Sequence, residues 1–265
     1  MPMFRWFGPK LPIDRDEFEW LLAVFAWLIQ TVDRDQAYRD AVLILPTRDF
    51  FPPSAAQGHD RAIELFEQVR AHAGMAEWEC VLVPGEAERE TRIAPGHALK
   101  HEYSPPGGTF GHDGNRVVIS YNPSALARPA ELVATFAHEL SHYLIHADGS
   151  MPPGGAALEE HATDVAAVFL GFGVFMANGA KTFAQFQTGE EQGWEMRRQG
   201  YLSEEALTAA LAIFVRMAGA EAADAEAALK DYLRGVFRKT LAVIDHDYPA
   251  LVTTLETADL SDWSD

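Results

Sequence analysis

Cysteine and basic side chains are the scarce residue classes of this chain. Cys80 is the only cysteine among 265 residues, which excludes an intrachain disulfide and a cysteine-rich metal site. A chain that uses so little cysteine suits a reducing compartment. We therefore expect a cytoplasmic protein.

The shortage of basic residues leaves a strong negative charge. Lysine and arginine total 21 against 39 aspartates and glutamates, a formal net charge of −18. Such a field repels phosphate backbones and anionic lipid surfaces. We expect neither a nucleic-acid partner nor a membrane partner, and a peptide or protein partner fits the charge better. The sequence leaves the oligomeric state open.

Long apolar runs are also missing near the N-terminus. The most apolar stretch there, residues 20–29, follows several acidic side chains and is too short to cross a bilayer. It has neither the basic flank nor the cleavage site of a secretory signal. We interpret it as part of an amphipathic core helix.

The chain has an ordinary core composition, with 48% hydrophobic and 23% charged residues. Periodicity predicts these elements: helices at 14–32 and 61–73, short strands at 41–45, 79–83 and 116–121, and a hairpin turn at 112–115. A further strand is possible around 98–103. Beyond Pro129 the pattern is helical, near 129–147, 157–177, 190–199, 203–218 and 222–245. We expect one α+β domain over 1–255, with a small mixed sheet in 1–125, a mostly helical part in 126–255, and an acidic tail at 256–265.

The helix expected after Pro129 carries the clearest chemical pattern. His138 and His142 are four residues apart, which places them one above the other, about 6 Å apart along a helix axis. Two imidazoles at this spacing can converge on one zinc ion. Glu139 adjoins the first histidine and can act as the general base that takes a proton from a zinc-bound water.

Catalytic zinc usually takes three protein ligands, so a third is needed. Glu160 in the next predicted helix is a good candidate, and Asp164 follows it at one-turn spacing on the same face. We expect Glu160 to bind the ion and Asp164 to accept a hydrogen bond from the outer nitrogen of a ligating histidine. The sharp reversal expected at 148–155 can bring the two helices together.

The pattern His138-Glu139-x-x-His142 followed by Glu160-x-x-x-Asp164 resembles the gluzincin branch of the zincin metallopeptidases. The run from His138 to His146 also resembles the ImmA/IrrE-type domain, a compact cytosolic zincin. The resemblance covers residues 116–177. It implies a zincin-like fold, one Zn²⁺ per chain and hydrolysis of peptide bonds.

Several of these residue assignments have alternatives. Glu159 is the alternative to Glu160, although a helix cap or a solvent-facing position suits it better. His146 lies about 12 Å along the axis from His138, too far for the same ion, and His161 is expected to be structural. The strand at 116–121 either lines a substrate cleft or is a plain core strand. An oxyanion donor cannot be chosen by residue type alone from four candidates: His101, Tyr103, His112 and Tyr201.

The sequence supports two hypotheses from different classes. The first is an active zinc metallopeptidase, favoured by the combination of ligands, base and supporting acid. The second is a regulatory or binding protein that keeps the zinc site but cleaves one partner or none, favoured by the large helical region beyond 177. A purely structural zinc is a weaker third hypothesis, because the local sequence offers no fourth ligand.

Overall fold

A computed structural model describes residues 8–32, 37–85, 108–113, 116–187 and 202–263, with backbone alone for 108–113, 116, 181–187 and 262. The fold is α+β, as predicted. The helices are α1 (Arg15–Trp27), α2 (Gly58–His72), α3 (Pro129–Asp148), α4 (Glu159–Ala167), α5 (Gly173–Gln187), α6 (Glu204–Ala218), α7 (Ala222–Ala228), α8 (Asp231–Asp247) and α9 (Leu251–Glu256). The strands are β1 (Cys80–Pro84), β2 (Gly108–Asp113) and β3 (Arg116–Tyr121).

These strands form a small mixed sheet in the order β1-β3-β2. β1 runs parallel to β3, with Cys80 opposite Val117. β2 runs antiparallel to β3 and ends with Asp113 opposite Arg116, the strand pairing that the predicted hairpin requires. Val117, Ile119 and Tyr121 alternate into the core. β3 is therefore the central strand, and β2 is an outer strand that lies against α3.

The prediction of a strand at residues 41–45 is wrong, because this segment adopts an irregular conformation. Its apolar residues Leu43 and Ile44 are buried in the core. The Ile44 N–H donates to the Gly171 carbonyl at 3.0 Å, so the segment docks on a helix and not on the sheet. The strand expected at 98–103 and the helix expected at 190–199 lie outside the described residues.

Two helices that periodicity predicts as continuous are interrupted. Between α4 and α5 the chain forms a π-helical segment, Val168–Phe172, that contains Gly171 at φ +98°. The predicted helix at 222–245 divides into α7 and α8 at Leu229 and Lys230. Asn178 holds this second break, since its side chain donates to the Ala228 carbonyl and accepts from the Lys230 N–H, both at 2.9 Å.

Helix α1 stabilises the turn that reverses the chain direction between α3 and α4. The indole N–H of Trp20 donates to the Pro153 carbonyl at 3.0 Å, and that of Trp27 donates to the Ser150 hydroxyl at 3.1 Å. Gly149 ends α3 at φ +76°, a conformation that favours glycine. The turn and its two indole contacts bring the first turn of α4 back beside α3.

The C-terminal helices pack around α6, which contacts α1, α5 and α8. Ser203 caps α6 by accepting from the Ala206 N–H at 3.0 Å. Glu256, the first residue of the expected acidic tail, ends α9 and accepts hydrogen bonds from Tyr38 and Arg39. The Trp263 carbonyl accepts from the Gly154 N–H at 3.2 Å. Two residues of the expected tail, Glu256 and Trp263, therefore contact the rest of the fold.

One helical stretch of the described chain, 155–180, is long and apolar enough to cross a membrane by length and composition, but 89% of its most apolar part is buried inside the protein. A buried helix of this kind is typical of a protein core.

The first prediction concerns the helix interruption at Gly171. A Cβ there would lie 2.3 Å from the Val42 carbonyl oxygen, so Gly171→Ala combines left-handed strain with a backbone clash. We expect a loss of about 2–4 kcal/mol in the free energy of unfolding, measured by urea denaturation. Gly74→Ala is the matched control, because Gly74 has φ +71° but nothing within 4 Å of its Cβ position. Equal losses in the two variants would contradict the role given to the Val42 contact.

Candidate metal centre

Helices α3 and α4 bring three predicted ligand side chains to one point. The Nε2 atoms of His138 and His142 lie 3.1 Å apart. Glu160 reaches across from the first turn of α4, and its Oε2 lies 3.4 Å from the first nitrogen and 3.5 Å from the second. These three atoms form a nearly equilateral triangle.

The size of this triangle suits a tetrahedral metal ion. Zinc bonds of about 2.0–2.1 Å at tetrahedral angles place neighbouring ligand atoms about 3.3–3.4 Å apart. The three observed separations lie close to that value. The His138 side chain is 4% exposed and that of Glu160 is 55% exposed, so the group is buried on the α3 side and reachable by solvent on the Glu160 side.

Asp164 sets the tautomer of His138. Its Oδ1 lies 3.0 Å from Nδ1 of His138, and an ionised carboxylate can only accept. Nδ1 therefore carries a proton, and in the neutral ring the Nε2 lone pair faces the other two ligand atoms. The hydrogen bond is the one that the sequence predicts for Asp164, and its role toward a metal ion stays a prediction.

Thr163 sets the tautomer of His142 in the same way, a role that the sequence did not predict. The Thr163 hydroxyl donates its only proton to the Glu159 carbonyl at 2.9 Å. It can then only accept at its 3.3 Å contact with Nδ1 of His142, so Nδ1 is protonated and Nε2 is again the free acceptor. A threonine beside the conspicuous Asp164 carries no sequence signal of this role.

The electrostatics of this group favour a positive charge at its centre. Burial lowers the pKa of His138, but hydrogen bonds to Asp164 and Glu160 outweigh burial and raise that pKa to about 10. Hydrogen bonds from His138 and His142 lower the pKa of Glu160. Three acceptor atoms facing one another need a cation between them, either a proton or a metal ion.

No family model, curated protein or solved structure matches the chain.

Glu139 lies beside His138 on α3 and is buried. Burial raises the pKa of its carboxyl group. In its ionised form, a carboxylate with a raised pKa is a stronger base than an ordinary glutamate, which is the property that the predicted general-base role requires.

The helical region beyond α5 supports the same group. The second oxygen of Asp164 accepts from the Leu202 N–H at 3.0 Å, immediately before α6 begins. Asp164 is 1% exposed and joins His138 on α3 to the start of α6. The sequence did not predict this role of the helical region, because only packing brings residues 164 and 202 together.

The remaining candidates separate into three groups. Glu159 and His146 pair with each other, with Oε1 and Nε2 at 3.3 Å. The His161 ring is buried edge-on against Trp20, with centroids 6.2 Å apart. The four oxyanion candidates, His101, Tyr103, His112 and Tyr201, lie outside the described side chains.

The second prediction tests the contact between Thr163 and His142. Thr163→Val removes the acceptor that fixes the tautomer, so we expect zinc affinity to fall by about 10- to 100-fold, measured by competition with a chromophoric chelator. Thr240→Val is the matched control, because the buried Thr240 donates to the carbonyl four residues before it, at 3.0 Å, in α8. Equal zinc affinities in the two variants would contradict the positioning role.

The third prediction concerns protons. Zinc binds neutral imidazole. His138 has a pKa of about 10, so in the metal-free protein at pH 7 its ring holds a second proton, on Nε2, in addition to the one on Nδ1. Raising the pH removes this competing proton. We expect release of about one proton per zinc ion, and an apparent affinity that rises about tenfold per pH unit between pH 7 and 9.

Calorimetric titrations in two buffers with different ionisation enthalpies measure the proton release directly. Identical heats in both buffers, together with a pH-independent affinity, would show that His138 is already neutral.

Proposed function

We propose that this chain is a zinc-dependent metallopeptidase with a zincin-like fold. One observation carries the proposal: two oriented imidazoles and one carboxylate meet at tetrahedral-edge distances beside a buried glutamate. Two nitrogen ligands and one oxygen ligand suit zinc among the common divalent ions. Three protein ligands leave a fourth position for water or substrate, as catalytic zinc sites require.

A zinc ion held by His138, His142 and Glu160 would polarise a substrate carbonyl and lower the pKa of a water molecule. The residues of the chain then have distinct roles. A Glu139 carboxylate oxygen takes the proton of the attacking water, and its raised pKa lets it return that proton to the departing amine. Asp164 and Thr163 keep the two imidazoles in the tautomer that presents Nε2.

The edge of the sheet that a peptide substrate could use belongs to β2, whereas for β3 the sequence left open a cleft-lining role and a core role. β3 is paired on both sides, so its backbone is not available for a substrate. β2 lies against α3, and no described strand pairs with its other edge. An extended peptide can add to such an edge through main-chain hydrogen bonds. We assign the substrate-pairing role to β2.

The alternative is a regulatory or binding protein that retains the metal site without general peptidase activity. The sequence suggested this alternative because it gave the large helical region beyond residue 177 no role. The hydrogen bond from the Leu202 N–H to Asp164 gives that region a supporting role that requires no partner. We therefore favour the peptidase.

The fourth prediction tests the proposal in two steps, beginning with metal content. Elemental mass spectrometry of the purified chain should find about one zinc per chain, and much less in Glu160→Ala. Glu205→Ala is the matched control, because Glu205 is an exposed glutamate in the first turn of α6 and should leave the zinc content unchanged. A wild-type chain that neither contains nor takes up zinc would overturn the proposal.

Activity is the second step. Glu139→Gln should keep its zinc and lose about 10²- to 10⁴-fold in the rate of peptide cleavage, because the amide cannot accept the proton. Glu131→Gln on the same helix is the control, since Glu131 pairs with Arg128 at the helix start. A zinc-loaded protein that cleaves no member of a broad peptide library would favour the binding protein.

A further inference from the structure

A second group of potential metal ligands lies one helical turn beyond the first. His142, His146 and Glu159 each present a ligand atom, all within 4.8 Å of one another. We call these three residues the outer cluster, and His138, His142 and Glu160 the inner cluster. His142 belongs to both.

The helix geometry explains why there are two clusters. Histidines at three successive one-turn positions form a row along α3, and the His142 and His146 rings are nearly parallel, with centroids 6.1 Å apart. Neighbouring residues on a helix point about 100° apart. The two glutamates that begin α4 therefore diverge, with Glu160 reaching the inner histidines and Glu159 reaching His146.

The outer cluster has the chemistry of a weak cation site. The 3.3 Å separation between His146 Nε2 and Glu159 Oε1 matches the edge of a zinc tetrahedron, about 3.3–3.4 Å. The full spread of up to 4.8 Å is wider than that edge, so side chains must move to close around an ion. The His146 and Glu159 side chains are 49% and 28% exposed. An ion can therefore reach them from solvent, and the protein's net charge of −18 raises the local concentration of cations.

We propose that the outer cluster is a second, weaker zinc site that shares His142 with the inner cluster, and that its occupation at high zinc concentration inhibits the reaction at the inner cluster. The inhibitory part rests on the proposed function. The shared ligand is the reason for inhibition. An ion at the outer cluster recruits His142, so it disturbs the ligand set that the inner cluster needs.

Calorimetric titration of the metal-free full chain with zinc sulfate tests the binding part without any activity measurement. We expect two binding events, one tight and one weak. His146→Ala and Glu159→Gln should each weaken the second event by at least about 10- to 100-fold and leave the tight event in place. Glu160→Ala should weaken the tight event and leave the weak event in place.

His246→Ala is the matched control. His246 is an exposed histidine beside a carboxylate, with Nδ1 2.6 Å from Asp247 Oδ1, and it belongs to neither three-ligand group found in the described chain. It should change neither event. A single event in the wild type, or a second event that survives both outer-cluster variants, would overturn the second site.

Peptide cleavage at rising zinc concentration tests the regulatory part. Inhibition by excess zinc in the wild type, absent from His146→Ala and Glu159→Gln, supports it. Equal inhibition in these variants overturns the regulatory part. Two binding events without any cleavage would instead refute the proposed function while keeping the second site, so the two failures are distinguishable.

Discussion

The Asp164 carboxylate joins the parts of the chain from which the candidate metal centre is built. One oxygen accepts from His138 on α3, and the other accepts from the Leu202 backbone just before α6. A buried carboxylate without such partners would destabilise the fold, because its desolvation would be uncompensated. The position of α4 between α3 and α6 is therefore constrained by a polar requirement as well as by apolar packing.

The same requirement explains why α3 tolerates polar residues on a buried face. His138, Glu139 and Ser141 are all buried on this helix, and polar groups removed from water destabilise a core unless they find partners. His138 has Asp164, and Ser141 donates to the Ala137 carbonyl. The acceptor atoms of His138, His142 and Glu160 face one another, and their loss of hydration is compensated only when a cation lies between them. This conflict with a purely structural core is typical of functional sites.

Periodicity predicted much of the fold but not its interruptions. α1, α2, α3 and α6 lie where their apolar patterns place them, because one-sided burial leaves a 3.6-residue period. The apolar residues 41–45 carry the same local signal as a buried strand, yet dock on the kink at Gly171. The break that Asn178 holds at Leu229 and Lys230 depends on a partner about 50 residues away in the sequence. Local pattern contains no information about such contacts.

The sequence by itself determined which residues share a helical face. His138 with His142, and Glu160 with Asp164, are set by one-turn spacing, since helix geometry converts sequence separation directly into position. Only the tertiary structure decided which faces meet. In the folded chain Glu160 contacts His138 and His142, whereas Glu159 contacts His146. Thr163 lies against His142, and β3 is the central strand. The physical reason is that these contacts depend on how α1 and the 148–155 turn orient α4 against α3, and that orientation is a property of the packed core.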